Sequence, residues 1–202
     1  MRALRLGDRF LDPGTVARSI ALGAAVLAAG VWLGHRLDPT WAEAGGGRWA
    51  PGRVADFAAT DQDGRAVSRA DLAGHRWVAD FIFTSCAGIC PTLTARLAAL
   101  RRRVADPAAR FVSFSIDPDR DTPAVLQAYA ARWGPRDPRW RLLHADAATL
   151  ARVAASLGAR GAGGLHNDRF FLVDDAGFVR GGFASGDPGI GRWLEGASPP
   201  RE

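Results

Sequence analysis

The chain has 202 residues, and 48% of them are hydrophobic, so it can bury the core of one domain and is not disordered throughout. All 26 cationic side chains are arginine and the formal net charge is +5; residues 1–37 carry five arginines against two aspartates, so the basic bias lies at the N-terminus and predicts no nucleic-acid binding. Two cysteines and four histidines exclude a disulfide-rich scaffold, a zinc-finger array and a cluster held by four thiolates.

The first feature along the chain is an uncharged apolar run, Ser19–Gly34, between Arg18 and Arg36. As a helix it is roughly 24 Å long at about 1.5 Å per residue, and extension to Leu37 brings it close to the ~30 Å hydrocarbon core of a bilayer. It predicts a single transmembrane anchor, 19–37, behind a cytoplasmic tail, 1–18, because arginines precede it. We expect a protein of the bacterial inner membrane with its folded domain in the periplasm.

A cleaved signal peptide is the alternative for this segment, since Ala42-Glu43-Ala44 resembles a small-residue cleavage site. That site lies farther from the apolar run than is usual, which favours the uncleaved anchor. A linker, 38–52, follows with glycine and proline breakers, and leaves one folded domain, 53–195, and a C-terminal tail, 196–202.

The folded domain is predicted to begin with short strands around a turn at Asp61–Gly64. A strong strand, Trp77–Thr84, then ends at the cysteines, and a helix starts at Pro91. The further predicted elements are strands at Phe111–Ile116 and Trp140–His144, helices at Thr122–Trp133 and Ala147–Leu157, and a hairpin of Arg169–Val173 with Phe178–Phe183. This order predicts an α/β fold with a central sheet and helices on its faces.

Cys86 and Cys90 lie at the strand-to-helix turn with three residues between them. The N-terminus of a helix stabilises a thiolate, so the pair can attack a disulfide or bind a soft metal. Two intervening residues are commoner in redox motifs, and the longer spacing shifts the balance toward a metal. Two thiolates and one imidazole form a three-coordinate site that can hold Cu(I) or Cu(II).

His166 is the histidine best placed to join the pair, because it follows a glycine-rich loop and precedes a strand. His35 belongs to the membrane boundary, and His75 is expected to be solvated in a loop. His144 ends a strand and is expected to make a structural hydrogen bond rather than bind a metal.

Two other charged clusters are expected to be structural. Asp117, Asp119 and Asp121 lack the glycine and distal glutamate of a calcium loop, so we expect Asp121 or Thr122 to cap the following helix. Arg101–Arg103 is expected to form a solvated helix face.

Three motifs together resemble the Sco/SenC family of cytochrome oxidase assembly proteins. They are Phe83–Pro91 (FTSCAGICP), Ser115–Pro123 (SIDPDRDTP) and His166 ahead of Phe170–Asp174 (FFLVD). The resemblance covers about residues 50–195. The chain departs from the family pattern before His166, where the segment is short and rich in glycine and Leu165 stands in the place of a common aspartate.

The resemblance implies a thioredoxin-like fold with a central mixed sheet, on the outer face of the membrane. It also implies copper bound by Cys86, Cys90 and His166, and a role in building the dinuclear copper centre of cytochrome c oxidase subunit II. On this interpretation the protein is a metallochaperone that passes copper to a partner's cysteines by ligand exchange, and not an enzyme that turns over a substrate.

A membrane-tethered thiol-disulfide reductase is the alternative function, in which Cys86 and Cys90 exchange with a partner's disulfide. His166 discriminates between the two, because disulfide exchange needs no distant imidazole. Peroxidase activity is less favoured, since Ala79, Asp80 and Ser85 do not reproduce the proline and threonine of peroxiredoxins.

Overall fold

The computed structural model describes residues 52–159 and 167–200. In chain order the elements of these residues are β1 (Ala58–Asp61), β2 (Ala66–Ser68), a 3-10 helix (Arg69–Leu72), β3 (Trp77–Ile82), α1 (Ile89–Arg103), β4 (Arg110–Ser115), α2 (Pro123–Ala131), β5 (Trp140–His144), α3 (Ala147–Ser156), β6 (Arg169–Val173), β7 (Val179–Ala184) and α4 (Gly189–Leu194). The predicted anchor, His35 and His166 lie outside the described residues. Within the two described ranges, no helix is long and apolar enough to cross a membrane.

The strands form one mixed sheet in the order β2-β1-β5-β4-β3-β6-β7. Its centre is parallel, since β4 runs in the same direction as β3 and β5, whereas the pairings toward both edges are antiparallel. Ile82 of β3 lies opposite Ser115 of β4, so these two parallel strands end side by side. The segments that leave them start at the same edge of the sheet, and the cysteine turn is one of them.

Apolar side chains cover both faces of the sheet, because successive strand residues point to opposite sides. On β3, Trp77, Ala79 and Phe81 enter the core cluster that contains α3 residues, and Val78 and Ile82 enter the cluster that contains residues of α1, α2 and α4. All six residues of β3 are buried. The strand that leads into the cysteine turn is therefore packed on both faces.

Helix α1 begins at Ile89, two residues before the predicted start at Pro91. Cys90 and Pro91 thus lie inside its first turn. Proline is tolerated there because the first N–H groups of a helix have no carbonyl partner within it. The prediction placed both cysteines ahead of the helix, whereas the structure holds Cys90 in the helix and Cys86 in the turn before it.

The sequence predicts a solvated face for Arg101–Arg103, and this is wrong for Arg101, which is only 3% exposed. Its guanidinium lies over the Trp140 ring, 5.0 Å from the centroid, and donates to the Pro135 carbonyl at 3.2 Å. It also pairs with Asp137 at 3.4 Å. The helix therefore packs a charged residue inside the fold, where an aromatic ring, a backbone carbonyl and a carboxylate offset part of its burial cost.

The other helices and strands predicted for the folded domain agree with the structure to within two residues at their ends. Helix α4 was not predicted, because glycines at its first and third positions hide the helical pattern.

Candidate metal centre

The two cysteines lie on either side of the start of α1. Cys86 is partly exposed in the turn after β3, where its N–H donates to the Phe83 carbonyl at 3.2 Å and its sulfur accepts the Gly88 N–H at 3.4 Å. Cys90 is the second residue of the helix and is 0% exposed. Both are present as thiols. The site therefore offers one sulfur to the surface and keeps the other inside.

The surroundings shift the pKa values of the two thiols in opposite directions. Burial acts to raise the pKa of Cys86, but hydrogen bonds from Cys90 and from the Gly88 and Ile89 backbones outweigh it, so the pKa is lowered. Burial raises the pKa of Cys90, and the thiol and charge of Cys86 and the charge of Asp80 raise it further. Cys86 is therefore the thiol that ionises first.

Asp80 is a buried acid on the same face of β3 as Val78 and Ile82, the face that packs against Cys90. It is 0% exposed, and neither of its carboxylate oxygens makes a hydrogen bond of good geometry. Burial raises its pKa to about 7, and the hydroxyl of Ser113, its register partner on β4, offsets only part of that effect. The sequence signal for this residue is a single acid in an otherwise apolar strand, but none of the sequence motifs assigns it a role.

A second buried acid, Asp121, contacts the segment that leads into the cysteine turn. Its carboxylate accepts the N–H and the hydroxyl of Thr84, at 3.0 and 2.5 Å, and the hydroxyl of Ser115 at 2.6 Å. The helix cap is Thr122, whose hydroxyl oxygen accepts the Val125 N–H at 3.4 Å. The prediction that Asp121 or Thr122 caps the helix is confirmed, and the cap is Thr122.

The remaining acids of that motif have separate partners. Asp117 pairs with Arg120 at 3.1 Å, and Asp119 is exposed. Over residues 52–159 and 167–200, no group of three or more His, Cys, Asp or Glu side chains is placed to hold a metal ion. The predicted ligand His166 lies outside these ranges.

The two described histidines have structural contacts. The Nδ1 of His144 lies 3.1 Å from the Asp121 carbonyl, which confirms the expected structural hydrogen bond. His75 is half-buried, with Nε2 3.2 Å from the Arg110 guanidinium and Nδ1 buried, so the prediction that it is solvated is wrong. It precedes β3 and lies at the opposite end of that strand from the cysteine turn.

A comparison with protein families shows where this arrangement belongs. The SCO1/SenC family profile matches residues 50–190, a range that includes both cysteines, Asp80, Asp121 and His166. The chain belongs to the SCO1/SenC family. The sequence resemblance is thereby confirmed.

Individual SCO1/SenC relatives agree in fold and in part of the sequence. The SCO1 protein homolog of Bacillus subtilis is 39% identical over 92 residues, which cover 45% of this chain and 48% of the relative. The chain spans about half the length, or less, of the curated relatives it matches. The solved structure of BsSco, a member of the Sco family of cytochrome c oxidase assembly proteins with a disulfide switch, is 29% identical. It matches 72% of this chain and 92% of its own with a TM-score of 0.64.

A further solved structure is that of ScoI from Bradyrhizobium japonicum with copper bound. It is 23% identical, covers 72% of this chain and 98% of its own, and has a TM-score of 0.58, which shows the shared fold. The central mixed sheet flanked by helices is thus the thioredoxin-like arrangement of Sco proteins.

Proposed function

We propose that this protein binds copper and delivers it to, or matures, the dinuclear copper centre of cytochrome c oxidase subunit II. The observation that carries the proposal is the pair of thiols, Cys86 and Cys90, at a strand-to-helix turn in a SCO1/SenC chain. The copper bound to ScoI and the membership of BsSco in a family of cytochrome c oxidase assembly proteins support it. Residues 19–37 would anchor the chain in the bacterial inner membrane, with the folded domain in the periplasm.

The donor set fits copper chemically. Sulfur is a soft ligand that selects Cu(I), and a neutral imidazole added to two thiolates also accommodates Cu(II). A metal can reach the site from the side of Cys86, which is partly exposed, while Cys90 lies inside. Both sulfurs must release their protons to the solvent for the metal to bind. We assign the third ligand to His166.

An anaerobic copper titration of the reduced, detergent-solubilised full chain tests the proposal. We expect one copper per chain and, for Cu(II), a sulfur-to-copper absorption band. His166→Ala should weaken binding by at least about tenfold, or about 1.4 kcal/mol, whereas His75→Ala, at the other end of β3, should not. Weak binding, or equal binding by the two variants, would contradict the ligand assignment.

Thiol-disulfide reduction of a partner is the second candidate, favoured by the unequal exposure and opposite pKa shifts of the two thiols. The Cys86 thiolate attacks one sulfur of the partner disulfide, and the other sulfur leaves as a thiolate. Cys90 then attacks the Cys86 sulfur, its proton passes to the departing sulfur, and a Cys86–Cys90 disulfide and a partner dithiol result.

A trapping experiment with glutathione disulfide tests this second candidate. We expect Cys90→Ser to accumulate a mixed disulfide with glutathione, because the resolving thiol is missing. Cys86→Ser is the matched control and should react much more slowly, because its remaining thiol is buried. Equal accumulation in the two variants would contradict the assigned order of attack.

A further inference from the structure

The sheet ladder between β3 and β4 stops just before the cysteine turn. One further backbone hydrogen bond follows the last paired residues of these strands, from the Ile116 N–H to the Ile82 carbonyl at 2.8 Å. Thr84 lies past this point, so its N–H has no strand carbonyl to meet. The Asp121 carboxylate accepts that N–H with one oxygen, at 3.0 Å, and the Thr84 hydroxyl with the other, at 2.5 Å.

Asp121 is itself fixed in place. It is 0% exposed, its Oδ2 also accepts the Ser115 hydroxyl, and its own N–H donates to the Asp117 carbonyl at 2.9 Å. Its carbonyl is the partner of the His144 ring. Among the described residues it has no cationic partner within ion-pair distance, so neutral donors alone stabilise the buried carboxylate.

The peptide that Asp121 holds contacts Cys86, and the backbone of its first residue, Phe83, also contacts Cys90. The bond between Phe83 and Thr84 is planar, so its carbonyl and its N–H are oriented together. The N–H donates to Asp121, and the carbonyl accepts the Cys86 N–H at 3.2 Å. On the other side of the same residue, the Phe83 backbone hydrogen-bonds to Cys90. One backbone segment therefore touches both cysteines and is fixed from outside by one carboxylate.

We propose that Asp121 is a positioning residue for the dithiol, which acts through Thr84 to fix the backbone of Phe83, whose carbonyl contacts Cys86 and whose other side contacts Cys90. The inference deepens the proposed function: the benefit of positioning the dithiol rests on that function. The property that it predicts, the dithiol–disulfide equilibrium of the two cysteines, is measured without copper. We expect these contacts to stabilise the dithiol, the form in which the structure shows them, more than the disulfide, so their loss should favour the disulfide.

Equilibration of the copper-free full chain, in mild detergent, with glutathione buffers measures that property. One protein disulfide and two glutathione thiols convert to one protein dithiol and one glutathione disulfide. We expect Asp121→Asn and Thr84→Val each to shift the equilibrium constant about tenfold toward the protein disulfide, or about 30 mV. Thr84→Ser keeps the hydroxyl and should restore the parental constant to within about twofold. Asp119→Asn, an exposed acid of the same loop, should leave it unchanged.

Thermal unfolding of each variant is measured beside the equilibrium constant, because loss of stability alone does not change the redox balance of a folded dithiol. Should Asp121→Asn fail to fold, Thr84→Val decides, since it retains the carboxylate and the backbone bond. A parental constant in folded Thr84→Val, or an equal shift in Asp119→Asn, overturns the inference. If the parent binds no copper but the predicted shifts occur, the proposed function fails and the positioning role stands; if copper binds and the shifts are absent, only the positioning role fails.

Discussion

Asp80→Asn is expected to make the protein more stable above pH 7 and to flatten the dependence of its stability on pH. Asp80 is 0% exposed, and burial raises its pKa from 3.8 to about 7. Between these values the native state keeps a proton that the unfolded chain has released. The part of the unfolding free energy that depends on the protonation of Asp80 is therefore fully present below about pH 4. It falls as the pH rises and is lost once the pH exceeds about 7. Asparagine has nearly the same shape and no charge to bury.

The magnitude follows from the size of the shift. Three pKa units at about 1.4 kcal/mol each correspond to about 4 kcal/mol of unfolding free energy, of which about 3 kcal/mol is lost between pH 5 and pH 8. The carboxylate has no well-formed hydrogen bond to lose on substitution, so the variant leaves the number of unsatisfied buried atoms nearly unchanged. The difference between variant and parent should therefore grow by about 3 kcal/mol in favour of Asp80→Asn over this range.

Urea unfolding of the reduced, copper-free chain at pH 5, 6, 7 and 8, followed by tryptophan fluorescence, measures this difference. Asp119→Asn removes an exposed carboxylate and is the matched control, which should follow the parent at every pH. If Asp80→Asn loses stability with pH as steeply as the parent does, Asp80 does not carry the raised pKa and the reasoning is refuted.

Two further predictions concern stability and are checked by urea unfolding at pH 7. Arg101→Ala should lower the unfolding free energy by about 2 to 3 kcal/mol, because the contact with an indole ring and a partly buried hydrogen bond are lost together. Arg102 is exposed, so the unfolding free energy of Arg102→Ala should stay within about 0.5 kcal/mol of the parent. Gly181→Ala should cost about 2 kcal/mol, since its φ is +138° and a Cβ would lie 2.8 Å from the Phe183 ring, whereas Gly186→Ala meets nothing within 4 Å. Equal losses within either pair would contradict the contacts invoked.

The sequence predicts best what short-range patterns determine. The apolar run Trp77–Ile82 identifies the central strand, and Gly177, with φ +81°, marks the turn of the hairpin between β6 and β7. The position of the cysteines between a strand and a helix follows from the same local patterns. The motif around Cys86 and Cys90 also carries the family resemblance, which the family profile confirms.

What the sequence did not show depends on contacts between distant residues. Asp121 meets Thr84 across 37 positions of the chain, and no local pattern distinguishes that role from capping a helix. The burial of Arg101 requires an aromatic ring from β5, so helical periodicity alone assigns it to the solvent. Asp80 was visible as an acid within an apolar strand, but its raised pKa comes from packing on that face of the sheet.

If the protein carries a metal ion as proposed, the unequal burial of the two sulfurs gives each of them a different effect on that ion. Of the two sulfurs, Cys86 is the one that an incoming ligand can reach, because Cys90 is closed to solvent. On the proposed function we therefore expect Cys86 to affect mainly the rate at which the ion is transferred, and Cys90 mainly the affinity with which it is bound. Two mutations that appear equivalent in the motif would separate kinetics from affinity.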